Sequence, residues 1–206
     1  MIAVIDYGMG NLGSVSNALK SLGGEVRVTQ KNSDLKRAEK IVLPGVGAFQ
    51  NAMHSLAKLN LIDTLKGEIR EGKIYLGICL GLELLFEESE EGVGCKGFGI
   101  LKGDVVKFSV SDKKGTTLKV PHMGWNQLRV KKKNCPLFRG TTDDAFFYFV
   151  HSYYVRPLDE DAIAAVTDYG KEFTSMVWKD NIYATQFHPE KSQEVGLKLL
   201  ENFLKL

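Results

Sequence analysis

A chain of 206 residues with 44% hydrophobic and 25% charged side chains carries enough apolar surface for one full core, which argues against a disordered protein. Its net charge of +2, with Lys131, Lys132 and Lys133 as the densest basic run, argues against nucleic-acid binding. No window approaches the roughly 18 apolar residues of a membrane span, the opening MIAVIDYG has no basic leader, and Cys79, Cys95 and Cys135 show neither CxxC nor Cys/His spacing. A cytoplasmic protein with free thiols and no metal site is therefore expected.

In chain order the first half alternates strand and helix: IAVIDY, NLGSVSNALKSLG, EVRVTQ, KIVLPG, the helices AFQNAMHSLAKLN and LIDTLKGEIREGK, then IYLGIC and the helix LGLELLFEES. Short apolar strands separated by helices of three or four turns indicate parallel βαβ units with both sheet faces covered. From about Gly97 the pattern changes to GDVVKF, NQLRV, AFFYFVHSYYV, AIAAVTDY, FTSMVW and IYATQFHP, punctuated by turn signals such as SDKKG and KDN. The chain closes on SQEVGLKLLENFLKL, where Val195, Leu199 and Phe203 repeat at helical spacing behind Ser192 as N-cap. The expectation is a single α/β domain over residues 1–206: an open, largely parallel sheet with helices on both faces and an antiparallel extension.

Chemistry concentrates first at Gly77-Ile78-Cys79-Leu80-Gly81, between a strand and a helix. This is a nucleophile-elbow pattern with Cys in the place of Ser, where flanking glycines permit a sharp turn that lifts the side chain out of the packing. The helix amides that follow are expected to lower the thiol pKa. A buried structural cysteine is the competing reading of GxCxG alone.

Gln186-Phe187-His188-Pro189-Glu190 follows the strand NIYAT. A histidine at a strand end with a carboxylate two residues on supplies an imidazole to take the thiol proton and a group to orient it. Together with the elbow it predicts a triad of Cys79, His188 and Glu190. Pro44-Gly45-Val46-Gly47 follows the strand KIVL at the sheet edge where open α/β proteins place ligands. Its amides could join that of Leu80 as oxyanion donors; a plain tight turn is the alternative.

Gly8-Met9-Gly10-Asn11-Leu12-Gly13 is formally a GxGxxG after the first strand, but the second strand ends in Thr29 and Gln30 instead of an acidic residue, which weakens a dinucleotide-binding reading. His54, His122 and His151 read as structural histidines.

Taken together, IDYGMGNLGSV, LPGVGAF, GICLGLELLFEESEEG, PHMGWN, FVHSYYV and QFHPEKS resemble the class I glutamine amidotransferases over almost the whole chain. IDYGMGNL, PHMGWN and HPEKS are most similar to the branch of that family that supplies ammonia for imidazole glycerol phosphate synthesis in histidine biosynthesis. The resemblance implies that Cys79 attacks the side-chain amide of glutamine, that His188 shuttles the proton, and that Glu190 orients it. Ammonia would pass to a cyclase subunit of (β/α)8 fold in a heterodimer, with no cofactor or metal. It further implies that Gly45, Val46, Gly47, Leu80 and Glu83 form the oxyanion and substrate-binding region. Asn11, Trp125, Tyr148 and Lys191 fall at positions similar to the family's partner-facing and gating region. One departure stands out, since the family usually has Gln where this chain has Glu83, on the same helix face as Cys79. Alternatives that the sequence leaves open are a paralogue feeding another ammonia acceptor, a partner-binding module without catalysis, and a cysteine hydrolase of unrelated amides.

Overall fold

The computed structural model describes residues 1–92, 94–109, 115 and 117–206. The first half contains β1 (Ile2–Ile5), α1 (Leu12–Ser21), β2 (Val26–Thr29), α2 (Asn32–Arg37), β3 (Lys40–Gly45), α3 (Phe49–Lys58), α4 (Ile62–Arg70), β4 (Ile74–Cys79) and the single turn α5 (Leu80–Glu83). There follow β5 (Glu88–Ser89), β6 (Cys95–Lys96), β7 (Gly103–Lys107), β8 (His122–Gln127), β9 (Arg129–Val130), β10 (Phe146–His151) and β11 (Tyr153–Pro157). The chain ends with β12 (Ile163–Asp168), β13 (Glu172–Lys179), β14 (Ile182–Thr185) and α6 (Gln193–Leu204).

The strands β2, β1, β3, β4 and β14 pair in that order, all parallel. Their apolar runs are buried on both sides because helices cover both faces, as the sequence predicts. Val15 and Leu19 of α1 and Leu199 and Phe203 of α6 pack with Val4, Val42, Leu76 and Ile78 on one face. Leu35, Phe49, Leu56, Leu65 and Ile69 pack with Ala3, Ile5, Ile41, Leu43 and Tyr75 on the other. Beyond β14 the sheet continues antiparallel through β13, β11 and β7, which is the expected extension. Among the described residues no helix is long and apolar enough to cross a membrane.

Three expectations change. The helix expected over LGLELLFEES closes after one turn at Glu83. Residues 80–86 are all buried, and the carbonyls of Leu84, Leu85 and Phe86 accept from the backbone of residues 98–101 instead of extending a helix. AFFYFVHSYYV is two strands, with β10 joining β8 in a separate ribbon and β11 entering the main sheet; the break falls at Ser152, bridged by the His151 ring on the Tyr153 carbonyl at 2.7 Å. NQLRV likewise divides at Leu128, whose N–H goes to Ala145. The helix α2 was not anticipated, because Leu35 is its lone fully buried apolar side chain and Asp34 instead ties Thr29, Arg27 and Arg37. Residues 111–114 of the SDKKG turn signal lie outside the described residues.

Candidate active site

Cys79 ends β4 at φ 55 and ψ −104, a backbone region a non-glycine residue occupies only under constraint. The flanking glycines make that turn possible. A Cβ at Gly81 would lie 1.9 Å from the Leu43 carbonyl oxygen, and one at Gly77 would lie 2.5 Å from that of Gly81. The elbow is therefore pressed directly onto β3, in register with Gly45. Cys79 is 6% exposed, with the Val150 carbonyl at 3.9 Å and the Gln186 amide at 3.8 Å from its sulfur.

The expected lowering of the thiol pKa does not hold in this resting arrangement. Burial pushes the Cys79 thiol well up, Glu83 and Glu190 add to that, and the Leu80 backbone N–H and Gln186 act in the opposite sense. A single helical turn carries too little dipole to outweigh desolvation beside a carboxyl group.

His188 reaches the same place from β14. Its backbone N–H donates to Tyr148 O at 2.9 Å, while the Ser192 hydroxyl donates to His188 O at 2.6 Å and accepts from Tyr148 N–H at 2.9 Å. Ser192 thus stands at the N-cap position of α6, but its hydroxyl clasps the His188 segment to β10 and does not cap the helix. Tyr148 and Val150 lie two residues apart on β10, so their carbonyls face the same edge and draw His188 and Cys79 together.

The His188 ring is fully buried, with Nδ1 at 2.8 Å from Glu190 Oε1. The Asn11 amide donates to that same oxygen at 2.6 Å and lies 3.3 Å from His188 Nδ1. A carboxylate accepting from both fixes the proton on Nδ1 and leaves Nε2 as the acceptor nitrogen. Among the described residues Nε2 has no hydrogen-bond partner.

Cys79, Leu80 and Glu83 line a cavity of about 500 Å³ together with Val46, Gly47 and residues 150–153. Gly45 closes β3 against Tyr7, whose hydroxyl would lie 2.0 Å from a Cβ there; Gly47 takes φ +106 and packs on Met9. Val46 and Gly47 therefore line the cavity beside the elbow and Leu80, while Gly45 is paired with Cys79 within the sheet. Glu83 is 5% exposed and accepts from Gln186 Nε2 at 2.9 Å. Two further groups around the elbow escaped the sequence reading. Glu91 also lines the cavity and accepts from the Phe49 N–H at the start of α3 at 2.7 Å, and Gln186 bridges Glu83 and Cys79. The acidic run EESEEG and the residue ahead of FHPE were the available signals, but neither fixes a direction in space.

Trp125 and Tyr148 meet edge to face at 6.0 Å, and the Lys191 ammonium lies 5.9 Å from the Tyr148 ring, so these three share one surface patch. Asn11 turns inward from it. The Gly8–Gly13 loop packs on Val46 instead of forming a nucleotide cradle, and Thr29 and Gln30 bond Asp34 and Asp6. His54 is exposed on α3, while His122 and His151 form a buried pair. Among the described residues no cluster of His, Cys, Asp and Glu is arranged to hold a metal.

The family Glutamine amidotransferase class-I matches residues 3–206. The chain is 50% identical over 206 residues, the full length of both proteins, to the imidazole glycerol phosphate synthase subunit HisH of Methanocaldococcus jannaschii. It is 47% identical to the protein of that name from Bacillus subtilis, covering 100% of this chain and 96% of the other. In three dimensions it is similar to PurLQS from Thermotoga maritima, with a TM-score of 0.78 at 19% identity over 99% of this chain and 97% of the other, a likeness of fold. A family match along almost the whole length, together with full-length relatives near half identity, means that this chain belongs to the class I glutamine amidotransferases.

Proposed function

We propose that the chain, acting as one domain over residues 1–206, hydrolyses glutamine through a thioester on Cys79 and delivers the ammonia to a partner cyclase that makes imidazole glycerol phosphate. The observation that carries this reading is the buried His188–Glu190 pair, whose Nε2 is unpartnered among the described residues, beside a strained cysteine elbow. Full-length relatives named as subunits of imidazole glycerol phosphate synthase support the choice of pathway.

In this mechanism His188 Nε2 takes the Cys79 proton and the thiolate attacks the side-chain amide carbon of glutamine. Negative charge builds on the carbonyl oxygen, toward the N–H groups of Leu80, Val46 and Gly47. The imidazolium gives its proton to the departing nitrogen, which leaves as ammonia, and the acyl group stays on sulfur. Water then gives a proton to Nε2 and attacks the thioester, releasing glutamate and restoring the thiol. Glu190 keeps Nδ1 protonated and stabilises the imidazolium. Glu91, with no lysine or arginine lining the cavity among the described residues, suits the substrate's ammonium group.

The partner is a subunit of (β/α)8 fold docking on the patch of Trp125, Tyr148 and Lys191, where Met123 and Phe146 are also exposed. The enzyme belongs in the cytoplasm, where its three free thiols stay reduced.

The test measures glutamate release by the chain alone and with the cyclase and its nucleotide. Release that depends on the complex is expected. Cys79→Ala should abolish glutamine-dependent synthesis while ammonia-dependent synthesis survives. No release under any condition from a folded, partner-bound chain would overturn the assignment.

A further inference from the structure

Glu83 rises from α5 four residues after the thiol, so both groups project to one side of the elbow. Glu83 is almost wholly buried. Among the described residues it receives a hydrogen bond from the neutral Gln186 amide, and no lysine or arginine lines the cavity it faces. A buried carboxyl group without a cation keeps its proton in preference to a desolvated charge. Burial accordingly pushes Glu83 up to about 8, with Gln186 opposing and Glu91 adding.

The groups packed around it offer no compensation. Cys79 on β4, Tyr153 on β11 and Tyr7 after β1 are all pushed up by burial, so each is neutral where Glu83 titrates. His151 across the cavity is held neutral, pushed down to about 3 by burial. Among the described residues the remaining charged neighbour in the cavity is Glu91, of the same sign.

The decisive contact is shared. Gln186 Nε2 lies 2.9 Å from Glu83 Oε1 and 3.8 Å from Cys79 Sγ, so one neutral amide serves both acids. Its two N–H groups can reach both, but a neutral amide brings no positive charge to offset two anions.

We propose that Glu83 works beside the thiol as a neutral carboxylic acid, and that its ionisation opposes the Cys79 thiolate, so the two groups alternate in holding a single negative charge. This deepens the reading of Cys79 as nucleophile and rests on it. In its neutral form the carboxyl both donates and accepts, as an amide does, and leaves the thiol proton free to pass to His188. Once Glu83 has lost its proton to solvent, a like charge raises the thiol further.

Two measurements on the full chain test this. Carbon-13 NMR of glutamate-labelled protein follows the Glu83 carboxyl, assigned by its disappearance in Glu83→Gln. A midpoint near 8 is expected, and one in the ordinary carboxylate range overturns the proposal. Alkylation of Cys79 by iodoacetamide, read by peptide mass spectrometry, reports the thiolate. Glu83→Gln should react roughly tenfold faster than the native chain at pH 9 and within about twofold of it at pH 6.5. Equal rates at pH 9 overturn the coupling. Glutamate release by the partner-bound chain separates the two readings. If it is absent at every pH while titration and labelling behave as stated, the glutamine assignment falls and the coupling stands.

Discussion

Asn11 donates to Glu190 Oε1 at 2.6 Å, the same oxygen that receives His188 Nδ1 at 2.8 Å. The start of α1 is thereby tied to residues 179 positions downstream, and the buried carboxylate is held in the orientation that fixes the imidazole tautomer. A hydrogen bond to a charged group contributes about 1.5–3 kcal/mol. Asn11→Ala is therefore expected to lower kcat for glutamine hydrolysis roughly 10- to 100-fold with little change in KM. Asn11→Asp should be worse, because a second carboxylate would face Glu190. Partner-bound steady-state kinetics check both, and an Asn11→Ala enzyme with native kcat would show that the bond takes no part in catalysis.

The strain at Cys79 predicts an inversion of the usual order of residue preferences. Glycine ordinarily destabilises a folded position by about 0.5–1 kcal/mol relative to alanine. At φ 55 and ψ −104 a side chain instead costs about 1–3 kcal/mol. Cys79→Gly should thus unfold about 2–4 °C above Cys79→Ala, with both inactive. Calorimetry of the two variants decides it; the opposite order would mean that the elbow holds no strain.

The parts of the fold that were legible are those whose cause is local. Buried strands such as IAVI and IYLGIC advertise themselves by uninterrupted apolar runs, and GxCxG and HPE carry their spacing in a handful of residues. What escaped depends on distant partners. The helix after Cys79 stops because residues 98–101 capture its carbonyls, and β10 parts from β11 because His151 turns back on Tyr153. Gln186 reaches Glu83 and Glu91 reaches the start of α3 through contacts 103 and 42 residues long, which no window of sequence contains. The thiol's environment was misread for the same reason: desolvation is a property of the packed elbow, and GICLG does not encode it.

Trp125 is 45% exposed and touches Tyr148 at its edge, so removing it should alter stability by less than about 0.5 kcal/mol. If the patch it shares with Tyr148 and Lys191 receives the cyclase, a central tryptophan is worth about 2 kcal/mol or more in binding. Trp125→Ala is then expected to weaken Kd for the partner roughly 30-fold while leaving Tm unchanged. Titration calorimetry of the two subunits measures this. Native affinity in the variant would move the docking surface elsewhere.

His122 and His151 make a second buried arrangement whose effect is on stability. Asn126 donates to His122 Nε2 at 3.2 Å, His122 Nδ1 donates to His151 Nε2 at 2.9 Å, and His151 Nδ1 donates to Tyr153 O at 2.7 Å. Every ring nitrogen is thus engaged with both imidazoles neutral, inside a shell of Phe108, Phe149 and Phe173. Burial pushes His122 down to about 4 and His151 down to about 3. Below the ordinary histidine value of about 6.5 the unfolded chain binds a proton at each site and the folded chain does not, so stability falls as pH falls. The loss tends to about 1.4 kcal/mol per pH unit for each histidine and levels off only below the folded values. The native chain should therefore lose roughly 5–10 °C of Tm per pH unit between pH 6 and 4.5. A His122→Asn, His151→Gln double variant should start lower at pH 7, having broken the chain of bonds, and descend less than half as steeply. Equal slopes would mean that the pair already accepts a proton in the folded state.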